Sequence, residues 1–243
     1  CKAQARNLLH LRFFMEDNPT LSQETRQRYE RTFQGAFYRR FVLGEWTAAE
    51  GLVYDFFEES MVRPAPAEPA DRWVISCDYG TVNPTSMGLW GKWGGVWYRV
   101  QEYYYDARAA RRQQTDQEYA QRLRELAGGR EIEAVVVDPS AASFLEVLRR
   151  EGWHVRKADN EVLSGIRQTA DALKQGKIVI CPPCTDAIRE FASYCWDLSA
   201  GDRDQVRKEF DHAMDEIRYF VATVVAPEEG EDLFFAGYVE RHV

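Results

Sequence analysis

Three acidic positions in this chain stand where chemistry could be done. Asp78 closes the apolar run that begins at Trp73, and Asp138 closes Ala134-Val-Val-Val-Asp138. Both runs read as buried strands, and functional groups in open α/β sheets collect at the carboxyl ends of strands. If the two strands are neighbours, their carboxylates lie side by side. Like charges that close require a counter-charge, which a divalent cation supplies. The third position is the run Asp211-His-Ala-Met-Asp-Glu-Ile-Arg-Tyr219. At about 100° per residue, Asp211, Asp215 and Arg218 share one helix face, with His212 one step round and Ala213, Ile217 and Phe220 opposite. Carboxylates at i and i+4 repel by a few tenths of a kcal/mol, and a bound metal would reverse that sign.

Carboxylates with few histidines or cysteines suit hard cations, Mg²⁺ or Mn²⁺. Two such ions roughly 4 Å apart clamp the attacking and leaving oxygens of an in-line phosphodiester displacement. In that scheme Asp78 bridges both ions, Asp138 and Asp215 each hold one, and His212 orients water or completes a shell. Each residue also has a plainer role open to it. A strand-terminal Asp is commonly a turn former. Asp138 precedes Pro139-Ser140 and could cap the following helix; Asp211 could be the N-cap of its own helix. The coincidence of all three favours a site. Cys181-Pro-Pro-Cys184 has the spacing of a redox or zinc pair, but no second pair completes a tetrahedral site. Tyr103-Tyr-Tyr105 reads as an aromatic strand rather than a base-stacking platform. The sequence contains neither a G-x-x-x-x-G-K-[ST] phosphate loop nor a G-x-S-x-G elbow.

The elements that must position these residues follow from pattern. Pro64, Pro66 and Pro69 within residues 62–70 cannot sustain a helix or a central strand, and mark a linker. Before it, residues 1–15 and 22–41 read as helices broken at Asp17-Asn18-Pro19. After it, strands are predicted over 73–79, 86–93 and 96–105, the last two joined at Gly94-Gly95 as a hairpin. A helix over 115–126 carries a capping box, Thr115 with Glu118, and Gly128 past its end. Then come a strand at 134–138, a helix at 141–150, a strand at 154–158, a helix at 162–175, a short strand at 178–180, and helices at 185–194 and 211–224. An antiparallel meander followed by alternating helices and parallel strands predicts an α/β mixed sheet with helices on both faces.

Composition bounds the rest. The chain has 243 residues, 45% of them apolar and 29% charged, with net charge −8, which excludes disordered, collagen-like and coiled-coil chains. No run of about 18 apolar residues is present, so no membrane partner is expected, and no secretory signal is visible. Five cysteines, odd in number and irregular in spacing, point to a reducing compartment. The acidity is segmental: residues 50–71 carry net −5 and 225–243 net −4, leaving the remainder at +1. Within that remainder Arg26, Arg28, Arg31, Arg39 and Arg40, and Arg149, Arg150, Arg156 and Lys157, make a phosphate-facing surface feasible. The chain opens on Cys1 rather than Met, which is expected of a piece of something longer or of a split gene.

Six stretches, in order, resemble a known family: Met15-Glu-Asp-Asn-Pro19, Leu43-Gly-Glu-Trp46 with Glu50-Gly51, Cys77-Asp-Tyr-Gly80 with Asn83-Pro84, Val137-Asp-Pro-Ser140, Gly165-Ile166, and Asp211-His-Ala-Met-Asp215 with Ile217-Arg-Tyr219. Together they resemble the C-terminal part of the tailed-phage terminase large subunit, the DNA-packaging motor protein. The resemblance implies an RNase H-like nuclease domain over 71–243, preceded by the linker at 62–70 and, over 1–61, by the mainly helical tail of an ATPase domain. It also implies that Asp78, Asp138 and Asp215 bind metal, with His212 near them and Asp211 in the same run. The implied reaction is cleavage of concatemeric double-stranded phage DNA with two Mg²⁺ or Mn²⁺ ions, in the cytoplasm of an infected bacterium. Portal protein, small terminase subunit and the missing ATPase part are the implied partners. Without a phosphate loop, no ATPase activity is expected of this chain alone. Two alternatives stay open: a non-catalytic module docking on portal or small subunit, for which the acidic residues 228–232 would serve, and an RNase H-like nuclease with another nucleic-acid substrate.

Overall fold

The computed structural model describes residues 51–197 and 205–228. The two helices expected over 1–15 and 22–41, and with them the ATPase tail, lie outside these residues. Six strands form one sheet: β1 (Arg72–Asp78), β2 (Thr85–Trp93), β3 (Val96–Tyr105), β4 (Ala134–Val137), β5 (Val155–Lys157) and β6 (Ile178–Ile180). Their spatial order is β5-β4-β1-β2-β3-β6. The β1, β2 and β3 strands run antiparallel, whereas β4 lies parallel to β1, β5 to β4 and β6 to β3. This is the mixed, RNase H-like sheet, and it places β1 and β4 side by side. The hairpin between β2 and β3 turns through Gly94 and Gly95, both with positive φ (54° and 89°), as a two-residue turn of this kind requires.

Among the described residues, six α-helical segments surround the sheet: α1, a single turn (Ala107–Ala110), α2 (Asp116–Ala127), α3 (Ala142–Arg150), α4 (Val162–Lys174), α5 (Thr185–Phe191) and α6 (His212–Phe220). Side chains alternate along a strand, so the sheet feeds two cores, one on each face. Ile75, Cys77, Met87, Leu89, Val135 and Val137 pack with Tyr119, Leu123, Phe144 and Leu148 of α2 and α3. Val74, Trp90, Trp97, Val136, Ile178 and Ile180 pack with Ile166, Phe191, Ile217 and Phe220 of α4, α5 and α6. The Thr115 and Glu118 capping box is formed at both bonds, and Gly128 ends α2 in the left-handed conformation.

The structure departs from the sequence expectation at α6. The spacing predicts a helix over 211–224 with its acidic stripe on the side away from its apolar residues. That helix is present from His212 onward; it changes from α-helical geometry after Phe220 to a π-helical turn over Val221–Val225 without a break, and every residue from Ala213 to Phe220 is buried. The helix lies between the sheet and α4 and α5, so Glu216 and Arg218 face protein, whereas His212 and Asp215 of its first turn reach a cleft. Turn α1 was not expected; Asp106 holds it by accepting from the backbone N–H groups of Arg108 and Ala109.

Residues 51–63 pack on this same core. Leu52 bridges Cys195, Val62 bridges Ile180, and the Phe57 ring stacks on Phe191 at 4.0 Å between centroids. The prolines at 64, 66 and 69 follow in chain with neither helix nor strand. At the other end Glu228 accepts from Arg72 at 2.6 Å and from Lys92 at 2.8 Å, so this member of the acidic run is held within the chain. Residues 229–232 lie outside the described residues.

Candidate active site

The register of the sheet decides where the two strand-end aspartates point. Cys77 is the partner of Val137 across β1 and β4, so Asp78 and Asp138 follow one residue later on adjacent strands. Asp78 has the parity of Val74 and Ser76, and Asp138 that of Val136, so both face the α6 side of the sheet. Helix α6 crosses there and delivers its first turn: His212 Nδ1 lies 2.9 Å from Asp78 Oδ2.

Helix α6 is held in place by charges buried beneath it. Glu216 Oε2 accepts from Arg99 Nε at 2.9 Å and Nη2 at 2.7 Å, and Glu216 Oε1 accepts from Trp90 Nε1 at 3.1 Å and from Ser76 Oγ. Arg99 also donates to Glu102 at 2.5 Å, whose carboxylate accepts from the amides of Asp186 and Ala187 at the start of α5. On the other flank Arg218 donates to the carbonyls of Asn160 (2.8 Å) and Glu161 (3.1 Å) and to Asp215 Oδ1 at 3.0 Å.

Two plainer roles considered for these aspartates come out differently. Asp211 occupies the N-cap position of α6, but its side chain makes no capping hydrogen bond. Glu190 of α5 does that work, accepting from the N–H of Ala213 at 2.6 Å and of Met214 at 3.4 Å. Asp211 is thereby released toward the site. Asp138 accepts from the N–H of Ser140 at 2.7 Å, a local turn, while the N-cap of α3 is Ala141. Asn160 also donates to Asp138, at 3.4 Å, and Tyr219 bonds it.

Electrostatics separate the acids. Burial pushes the Asp78 carboxyl up to about 6, even though the His212 bond pulls the other way. Burial, reinforced by the charge on Asp215, raises Asp211. Asp138 is lowered: burial opposes ionisation there, but the bonds from Ser140, Tyr219 and Asn160 outweigh it. His212 is raised; its own burial works against the charged form and is overcome by Asp78. Lys208 spans the remaining pair, with Nζ 3.3 Å from Asp211 and 3.2 Å from Asp215.

A cleft of about 1080 Å³ opens on this cluster. Asp78, Asp211, His212 and Asp215 line it, together with Lys208, Asn83, Arg108, Arg189 and the aromatic rings of Tyr104, Tyr105 and Phe210. Asp138 sits just behind, 9% exposed, and does not line it. All five predicted residues therefore belong to one region, but with different partners from those expected. Among the described residues, no three His, Cys, Asp or Glu side chains converge as ligands of one ion. His212 and Lys208 stand between the carboxylates instead. The donor chemistry, four carboxylates and an imidazole, fits a hard divalent cation, and Lys208 already places a cation between two of the acids. Lys208, Asn160, Glu190 and the Arg99–Glu216 pair escaped sequence reasoning. Of these only Glu216 carried a signal, as a charged residue facing the sheet within an otherwise amphipathic helix.

Cys181 and Cys184 are free and buried, and among the described residues they join no group of three His, Cys, Asp or Glu side chains that could hold a metal ion. Burial pushes their thiols up to about 11 and about 12, and Cys184 Sγ donates to the Arg99 carbonyl. They serve as packing.

No family model matches the chain. The large terminase of a thermophilic bacteriophage, solved in complex with ADP, is 46% identical; the match covers 90% of this chain and 56% of that one at a TM-score of 0.71. The terminase large subunit of Escherichia phage T5 is 22% identical over 222 residues, 86% of this chain and 50% of that protein. This chain thus spans about half the length of both relatives. The nuclease domain of the P22 large terminase shares the fold at 17% identity and a TM-score of 0.58, covering 72% of this chain and 93% of that domain. The nuclease of the phage G20c large terminase, solved with bound magnesium, does so at 14% identity and a TM-score of 0.55, covering 72% and 98%. Matched along most of its length by these proteins, the chain is a homologue of the phage large terminases.

Proposed function

We propose that this chain carries the DNA-cutting part of a large terminase, a metal-dependent endonuclease acting on concatemeric double-stranded phage DNA during packaging. The observation that supports it most is the gathering of acids at one end of the sheet: Asp78, Asp211, His212 and Asp215 line one cleft, and Asp138 lies just behind it at the tip of the strand beside β1. Asp78, Asp138 and Asp215, with Asp211 beside them, would hold two Mg²⁺ or Mn²⁺ ions. Such ions neutralise charge developing on phosphate oxygens and make water a better nucleophile.

The chain's own groups do the rest. His212 holds Asp78 in orientation through Nδ1, and its other nitrogen stays on the cleft side, 3.9 Å from Asp211. Asn160 and Ser140 fix the rotamer of Asp138. Arg108 lines the cleft beyond the acids and can meet the sugar-phosphate backbone, so binding should weaken as salt rises. Portal protein, small subunit and the ATPase part of the motor are the partners this reading implies, and the host cytoplasm its location; ATP hydrolysis is not expected of this chain alone.

The test is supercoiled plasmid incubated with Mn²⁺ or Mg²⁺ and either wild-type protein or Asp78→Asn. Metal-dependent nicking and linearisation by wild type, lost in Asp78→Asn with DNA binding retained, is the expected result. Equal cleavage by both proteins would sink the assignment.

A further inference from the structure

We propose that Lys208 is a tethered competitor of the divalent cation: its ammonium holds Asp211 and Asp215 together, and must leave before a metal can take both carboxylates. The inference rests on the metal-dependent reading above and deepens it by naming what sets the concentration at which the site loads.

The two cations on these acids differ in one respect that matters. Arg218, on Asp215 Oδ1, is 2% exposed and pinned by the carbonyls of Asn160 and Glu161. It cannot move away without abandoning two backbone carbonyls and its own place in the packed interior. Lys208 reaches Asp211 Oδ2 and Asp215 Oδ2 from the cleft side, and its side chain is 64% exposed while theirs are 4% and 10% exposed. It can swing into water with little loss. Phe210, two residues on, takes φ +54°, a left-handed conformation uncommon in residues other than glycine. His212 also faces the pair, with Nε2 3.9 Å from Asp211 Oδ1 and Nδ1 committed to Asp78, whose own charge acts on both acids.

Lys208 therefore satisfies two carboxylates that would otherwise repel across a buried gap, with a cation of half the charge of the metal. Binding a divalent ion becomes an exchange, and the apparent affinity is the intrinsic one multiplied by the fraction of time Lys208 is withdrawn. Ion pairs as exposed as these are individually weak, so we expect a penalty of about three- to tenfold rather than exclusion.

The experiment is calorimetric titration of the chain with MnCl₂ alone, without DNA. Wild type is compared with Lys208→Met, which keeps the apolar stem, with Lys208→Arg, which keeps the charge, and with Arg189→Met. Arg189 lines the same cleft but pairs with Asp186. Lys208→Met should bind Mn²⁺ about three- to tenfold more tightly than wild type, with Lys208→Arg and Arg189→Met within about twofold. The metal-free Lys208→Met protein should also melt lower than wild type, and the Mn²⁺-saturated forms together. Mn²⁺ binding by wild type that is unchanged or weakened in Lys208→Met overturns the proposal and leaves the metal reading standing. Equal tightening by Arg189→Met overturns it too, since net charge of the cleft would then suffice. Binding by none of the four proteins overturns this proposal and the metal reading together.

Discussion

Replacing Arg99 by Met should break the buried ion pair beneath α6 while leaving the cleft residues themselves untouched. Arg99 is fully buried on β3, and all three of its guanidinium nitrogens are used, two on Glu216 and one on Glu102. Met fills most of the volume but leaves Glu216 with only Ser76 and Trp90 as donors. Removing one partner of a buried ion pair typically costs about 3–5 kcal/mol, because the remaining charge has no water to return to. Glu102 loses less, since the amides of Asp186 and Ala187 still face it at the positive end of α5. For a domain of this size that loss lowers the melting temperature by roughly 6–20 °C. Urea titration followed by tryptophan fluorescence measures it directly, and the Arg99→Met/Glu216→Gln double variant supplies the control. With the charge gone from both sides, Gln can still accept from Ser76 and Trp90, and most of the stability should return. A loss below about 1 kcal/mol in Arg99→Met, or no recovery in the double variant, would refute the claim that this pair anchors α6 to the sheet.

Two further perturbations probe the same helix. Burial pushes Glu190 up to about 7 against an ordinary value of 4.5, so its neutral form is favoured in the folded state. The resulting contribution is fully present below pH 4.5 and fades as pH rises through about 7; in Glu190→Gln, thermal stability should vary less across that window. Gly165 of α4 faces Arg218, and a Cβ there would lie 2.5 Å from Arg218 Cγ. Ala is the better helix former by about 1 kcal/mol, yet Arg218 cannot retreat, so Gly165→Ala should be destabilising, by about 1–2 kcal/mol net in chemical denaturation.

Much of this arrangement was legible in the sequence because it is local. The alternation of Val74, Ser76 and Asp78 fixes the face on which Asp78 emerges, and Val136 does the same for Asp138. The capping box at Thr115 and the glycine pair at 94 and 95 declare a helix start and a hairpin without reference to anything distant. What was not legible is long-range. That α6 is buried all round depends on Arg99, which is 117 residues from Glu216 in the chain, and on carbonyls at Asn160 and Glu161 that no side-chain pattern reveals. Asp211 read as a plausible N-cap, and only the arrival of Glu190 from α5 removes that role. Lys208 sits in a stretch with no periodicity, so nothing but the fold could bring it between Asp211 and Asp215.

The central claim is that the carboxylates gathered by β1, β4 and α6 form a metal site. Crystals of this chain soaked in MnCl₂ and measured at a wavelength where manganese scatters anomalously test it most directly. The account predicts anomalous density among Asp78, Asp138 and Asp215, with Lys208 withdrawn from Asp211. Density only at other positions, or none at saturating Mn²⁺ with Lys208 still between the two acids, would contradict it.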